Sequence, residues 1–243
     1  MYLKISCGVY PASRDSAIKM TDITLETIKS NPKVIAFLEA ANEYLGVIGY
    51  TEHGFRHADT VANLSKNILT HLNNKEPLPE LAAIAGYLHD IGNVVNREDH
   101  ISASALIAMD ILGEMKMSPE NIAIIISAIG NHEEPVGEPV NSVCAAVILA
   151  DKADVHRSRV RNPKMIGLDI HDRVNYAVER SFLRVDADKK IISLELTIDT
   201  NISQVMDYFE IFLTRMIICK KAAVFLKTDF DLYINGTKLL LAE

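Results

Sequence analysis

The sequence predicts a mainly α-helical fold: a helical bundle followed by a small α+β C-terminal module made of a hairpin, a long helix and a strand. Apolar residues recur at three- and four-residue intervals from residue 31 to about 161, with no convincing strand pattern there. Helix-start and helix-stop residues punctuate the same stretch. Beyond Pro163 two β-prone runs flank the polar "DADKK" and read as a hairpin. The expected organisation is an N-terminal segment over 1–30, a helical domain over 31–161 and an α+β module over 162–243.

In chain order, Asn31-Pro32 starts a helix, because Asn caps an N-terminus and Pro suits the first turn. Val34, Phe37, Leu38, Ala41 and Leu45 give it an apolar face and Gly46 fits its end. "TEHGFRH" turns into a second helix carrying Val61, Leu64, Ile68 and Leu72, and residues 73–79 form a loop. Leu81, Ile84, Ala85 and Leu88 run a third helix into His89-Asp90, with Gly92 just after. Another helix spans about 100–112. Ser118-Pro119-Glu120 starts the next, which ends near Gly130. From Asn141 an apolar helix runs through Asp151 into "HRSRVR". A short helix at 171–180 precedes the hairpin. Ile202 to Leu226 is a long amphipathic helix with Val205, Phe209, Phe212, Met216 and Val224 in step, and "FDLYING" reads as a strand and turn.

Composition narrows the function. The 243 residues suit one large domain, or one domain with a small appendage. Apolar residues at 49% and charged residues at 23% match an ordinary globular protein. A net charge of −7 argues against a nucleic-acid polymer as partner, since that needs a basic surface. Cys7, Cys144 and Cys219 are odd in number and far apart, which disfavours a disulfide scaffold or a thiolate zinc site and fits a reducing compartment. "MYLKISCGVY" lacks the apolar core of a signal peptide. The apolar run 143–150 is far shorter than the roughly 18–20 residues that span a bilayer. A cytoplasmic protein with no membrane partner is expected.

The chemistry concentrates at helix junctions. His53, His57, His89, His100 and His132 all sit near helix ends, whereas His71 reads as a surface residue. His89 and Asp90 stand about 100° apart at a helix C-terminus, and imidazole with carboxylate is an ordinary donor set for a divalent first-row cation. His57 and Asp151 are candidates to complete the site. Asp151 closes "SVCAAVILAD", where a lone buried carboxylate would cost several kcal/mol unless neutralised. Asp154 is a rival for that role, or a group that supports a ligand from behind.

The order His57, His89-Asp90 and Asp151 resembles the signature of the HD superfamily of metal-dependent phosphohydrolases, over roughly residues 31–161. "HGFRHADTV" is similar to the His-Gly-x-x-His opening of many members. "DHISASALIAMDIL" is similar to the His segment of the dinuclear branch, which includes the HD-GYP phosphodiesterases. The resemblance implies that His100 and His132 hold a second metal, with Asp90 bridging. The chain departs from its relatives at Asn93, where many carry Lys, and at Asn131, where HD-GYP enzymes carry a second His. "NHEEPVGEPV" stands in place of the Gly-Tyr-Pro stretch, which disfavours a cyclic-di-GMP phosphodiesterase.

The implied activity is hydrolysis of a phosphoester in a small phosphorylated substrate, with nucleotides the first guess. The cofactors would be one or two divalent transition-metal ions, drawn from Fe, Mn, Zn, Co and Ni. Asp90, His53 and Lys152 are the catalytic candidates. Arg56, Arg97, Arg157 and Arg161 are candidates for phosphate contact, the last two from one helix face past Asp151. The alternative is a metal- and nucleotide-binding sensor with little turnover. "ELTIDT" and "DLYING" suggest an open sheet edge and hence a homodimer.

Overall fold

A computed structural model of the chain describes residues 22–240. Cys7 and the "MYLKISCGVY" stretch lie outside the described residues. The helical part comprises α1 (Leu25–Lys29), α2 (Pro32–Val47), α3 (Phe55–His71), α4 (Leu78–Leu88), α5 (His100–Glu114), α6 (Pro119–Gly130) and α7 (Ser142–Ala153). The rest is α8 (Ile170–Ala177), β1 (Val178–Asp186), β2 (Ile191–Ile198), α9 (Val205–Phe225), β3 (Asp229–Ile234) and β4 (Thr237–Leu240). The fold is therefore mainly α, with a small four-stranded sheet after the bundle. Among the described residues, no helix is long and apolar enough to cross a membrane.

Side-chain caps set several helix starts. Asn31 Oδ1 accepts from the Lys33 and Val34 amides, Ser118 Oγ from the Asn121 amide and Asn141 Oδ1 from the Cys144 amide. α4 and α7 are buried on nearly every side, from Leu81 to Leu88 and from Val143 to Ala153. A helix that is apolar all round belongs at the centre of a bundle, and each fully buried Leu or Ile there contributes about 1.5–3 kcal/mol. α3 packs on both, with α5 and α6 alongside.

Two glycines allow close approaches that position the site. A Cβ at Gly86 would lie 3.0 Å from the Val61 carbonyl, so glycine lets α4 settle onto the backbone of α3. A Cβ at Gly92 would overlap the His100 carbonyl and the Ser104 amide. Gly92 thus docks the 3₁₀ turn Ile91–Val94 onto the first turn of α5, where its amide donates to Ser104 Oγ at 2.8 Å.

The sheet order is β1-β2-β3-β4. β1 and β2 form the expected hairpin, β2 and β3 run parallel, and β3 and β4 are antiparallel. Parallel neighbours need a crossover, which α9 supplies. α9 buries Tyr208, Phe212, Met216 and Cys219 and packs on α7 as well as on the sheet. One buried apolar cluster runs from Ile23 to Ile234 through bundle and module alike.

Several expectations need correction. The helix through Asp151 does not continue into "HRSRVR": Asp154 leaves helical geometry (φ −83°, ψ 66°), and only a 3₁₀ turn, Arg157–Arg159, follows. Arg157 and Arg161 therefore share no helix face. β2 and β3 hold most of "ELTIDT" and "DLYING", and both have neighbours on each side, so these segments are no open edge. The edge strands are β1 and β4, and β4 was not foreseen. Val224 faces outward, 60% exposed, rather than into the apolar face of α9.

Candidate metal centre

Three central helices bring His57, His89 and Asp151 together. His57 is in the first turn of α3, His89 caps α4 and Asp151 is in the last turn of α7. All three are buried. His57 Nε2 lies 3.2 Å from His89 Nε2 and 3.4 Å from Asp151 Oδ1. Asp90 Oδ2 is 3.6 Å from His57 Nε2 and 3.4 Å from His89 Nε2, while its other oxygen, Oδ1, is 3.5 Å from His100 Nε2. The Asp90 carboxylate therefore faces two clusters at once. The second cluster holds His100 at the start of α5, His132 just past α6, and Glu133, whose Oε2 is 2.6 Å from His100 Nε2.

Each imidazole is tied from behind. Nδ1 of His57 donates to Asp154 Oδ2 (2.6 Å), of His89 to the Gly86 carbonyl (2.7 Å), of His100 to the Arg97 carbonyl (2.8 Å) and of His132 to the Ile129 carbonyl (2.6 Å). Carbonyl and carboxylate oxygens only accept, so in each neutral ring the proton sits on Nδ1 and Nε2 presents a lone pair. His57 and His89 thus aim two lone pairs at each other across 3.2 Å, while His100 Nε2 lies 2.6 Å from a Glu133 oxygen and 3.2 Å from Arg97 Nη1, which can donate to it. Acceptors in such contact call for a shared cation. Three overlapping groups have one donor atom per residue within 4.8 Å of one another: His57/His89/Asp151, His89/Asp90/His132 and His100/His132/Glu133. These residues fit a divalent metal.

The charges respond accordingly. Burial opposes ionisation of Asp90, but the adjoining imidazoles, His89 first, outweigh it and hold the carboxyl well below its usual range. Burial acts likewise on Asp151, and Lys152, His57 and His89 outweigh it. Glu133, although burial pushes it up, is held low by His100, Lys152 and Arg97. Burial pushes His132 down to about 4, helped by His89 and Lys152. Asp90 and Asp151 outweigh burial and raise the pKa of His89 to about 9, so a bound cation would take the place of a proton at its Nε2.

An HD domain family model matches residues 54–157, which contain every residue of this centre. The chain is also 32% identical over 195 residues to the uncharacterized protein MJ1020 of Methanocaldococcus jannaschii, covering 70% of this chain and 74% of that one. The chain belongs to the HD domain family. A crystal structure of a predicted HD superfamily hydrolase from an uncultured Thermotogales bacterium is also similar, with 22% identity and a TM-score of 0.41. That match covers 54% of this chain and 73% of the other.

Beside the HD centre lies a cavity of about 490 Å³ lined by His53, Arg97, Glu133, Arg159 and Arg215, with Phe212 of α9 also in its lining. Of the four arginines singled out from the sequence, only Arg97 lines it. Arg97 donates to Glu133 Oε1 at 2.8 Å and stacks over Tyr50. Arg56 instead clamps Asp154 with two bonds, at 3.1 and 2.8 Å. Arg157 pairs with Glu179 at the surface. Arg161 donates to the Tyr50 and Asn42 carbonyls and so holds a loop in place.

Lys152 does not reach the cavity either. Its amine is buried between Asp151 Oδ2 (2.7 Å) and Glu134 Oε2 (3.0 Å). Burial works against its charge, but these carboxylates outweigh it and raise its pKa. His53 does line the cavity, with Nδ1 donating to the Thr51 carbonyl at 2.8 Å and its ring 5.3 Å from that of His57.

Glu133, Glu134, Arg159 and Arg215 were missed. The available signals were two adjacent carboxylates directly after His132, and a charged residue among Phe212, Met216 and Cys219 on the buried side of an amphipathic helix.

Proposed function

We propose that this HD protein is a metal-dependent phosphohydrolase that cleaves a phosphoester in a small phosphorylated substrate, with nucleotides the first class to test. The observation that carries the reading is the set of four imidazoles, each tethered through Nδ1 and turned Nε2-inward around the shared Asp90 carboxylate. His57, His89, Asp90 and Asp151 would hold one ion, and Asp90, His100, His132 and Glu133 a second. Bound divalent cations supply Lewis acidity toward phosphoryl oxygens and ease the loss of a proton from water.

The chain's own groups complete the chemistry. Arg97, Arg159 and Arg215 surround the cavity with guanidinium forks suited to phosphate oxygens. Asn93, where many relatives carry Lys, donates from Nδ2 to the Asp90 carbonyl at 2.9 Å and turns Oδ1 toward Arg97 at 3.4 Å. Arg97 thereby supplies a cation near the place of the absent Lys. Burial and nearby Arg159 keep His53 neutral, able to accept a proton through Nε2. Lys152 acts as a positioning residue by holding Asp151.

A panel of phosphomonoesters, nucleotides and cyclic dinucleotides with added Mn²⁺ tests the proposal. Phosphate release lost in His89→Ala and Asp90→Ala is expected. Tight nucleotide binding with no turnover would favour the sensor reading, which gains support from Arg97 and Arg215 already being paired to Glu133 and Glu134.

A further inference from the structure

We infer that α9 carries a self-complementary seam through which two copies of this chain pair as an antiparallel homodimer. Met206, Leu213, Ile217 and Val224 are 72%, 51%, 51% and 60% exposed. At 100° per residue they fall within about 40° of one another, on the side opposite the buried Tyr208, Phe212, Cys219 and Ala222. With the exposed Glu210 and Lys220, the series 206, 210, 213, 217, 220, 224 steps by four and three alternately, as the a and d positions of a heptad seam do.

The series is symmetric about residue 215. An antiparallel two-fold there sets Met206 against the partner's Val224, Leu213 against the partner's Ile217 and Glu210 against the partner's Lys220. Every contact then occurs twice, as an isologous interface requires. A parallel pair would instead oppose Glu210 to its own copy and Lys220 to its own copy. The charges therefore select the antiparallel arrangement, and they are free to do so. Lys221 is engaged with Glu138, whereas Glu210 and Lys220 have no ion pair among the described residues. This route also replaces the strand-edge pairing that the sheet order rules out for β2 and β3.

Sedimentation velocity on the full chain at up to about 100 µM, a range that detects micromolar pairing, tests the inference. The expected results are a dimer for the native chain and a monomer with unchanged circular dichroism for Leu213→Glu. Glu210→Lys alone should weaken association at least about tenfold. Glu210→Lys combined with Lys220→Glu should restore it, because the antiparallel pairing is then reversed intact. A native monomer would overturn the inference, including one whose seam is covered by residues 1–21. So would a dimer indifferent to Leu213→Glu, or a double variant no better than the single.

Discussion

His57, His89 and Asp151 project from the three helices that form the middle of the bundle, and the group behind His57 is itself locked: Asp154 is gripped by Arg56 and by Arg159. His100, His132 and Glu133 stand instead on helix termini and a loop beside the cavity, and Glu133 is steadied by Arg97, which is partly exposed. The first half is fixed by the packing of the whole domain, the second by local chain and one guanidinium. The two halves share a carboxylate but differ in what holds them in place. An ion in the first half should therefore be retained through purification, while an ion in the second should exchange.

The most damaging test removes the shared group. Asp90→Ala should lower turnover by about 10²–10³-fold or more and reduce ion content in both halves, read by elemental analysis. Next, His100→Ala should lower the metal-to-protein ratio from near two to near one while the remaining ion resists dialysis. Loss of both ions would break the comparison. Asp154→Asn leaves every proposed ligand in place but loosens His57, so metal affinity should fall by about 10–100-fold, measured by competition with a chromogenic chelator. Arg215→Met should be mildest: KM rises about tenfold, the worth of one charge-assisted hydrogen bond, with ion content unchanged. An unchanged KM would remove α9 from the substrate cavity.

Legibility in the sequence followed the same division. Helices announced by caps, at Asn31, Ser118 and Asn141, could be placed because the capping side chain is local to the element. The gathering of His57, His89, Asp90 and Asp151 was legible because all four sit at or near helix ends and because their order along the chain matches the HD signature. Arg159 and Arg215 were not, since a guanidinium acquires its surroundings only when distant segments pack. Arg161 shows the converse. Its position past Asp151 resembled a phosphate contact, but the loop carbonyls of Tyr50 and Asn42 claim it. The sheet misled for a related reason: two segments that read as edges are joined in parallel through α9, a pairing that no local pattern specifies.

α9 has two unlike sides. On one, Arg215 reaches the cavity wall and holds Glu134 at 3.2 Å, and Glu134 in turn holds Lys152 beside Asp151. On the other, half a turn of rotation away at the same height, lies the midpoint of the apolar seam. A group in the cavity that competed for Arg215 would weaken its hold on Glu134, and with it the hold of Glu134 on Lys152 beside Asp151.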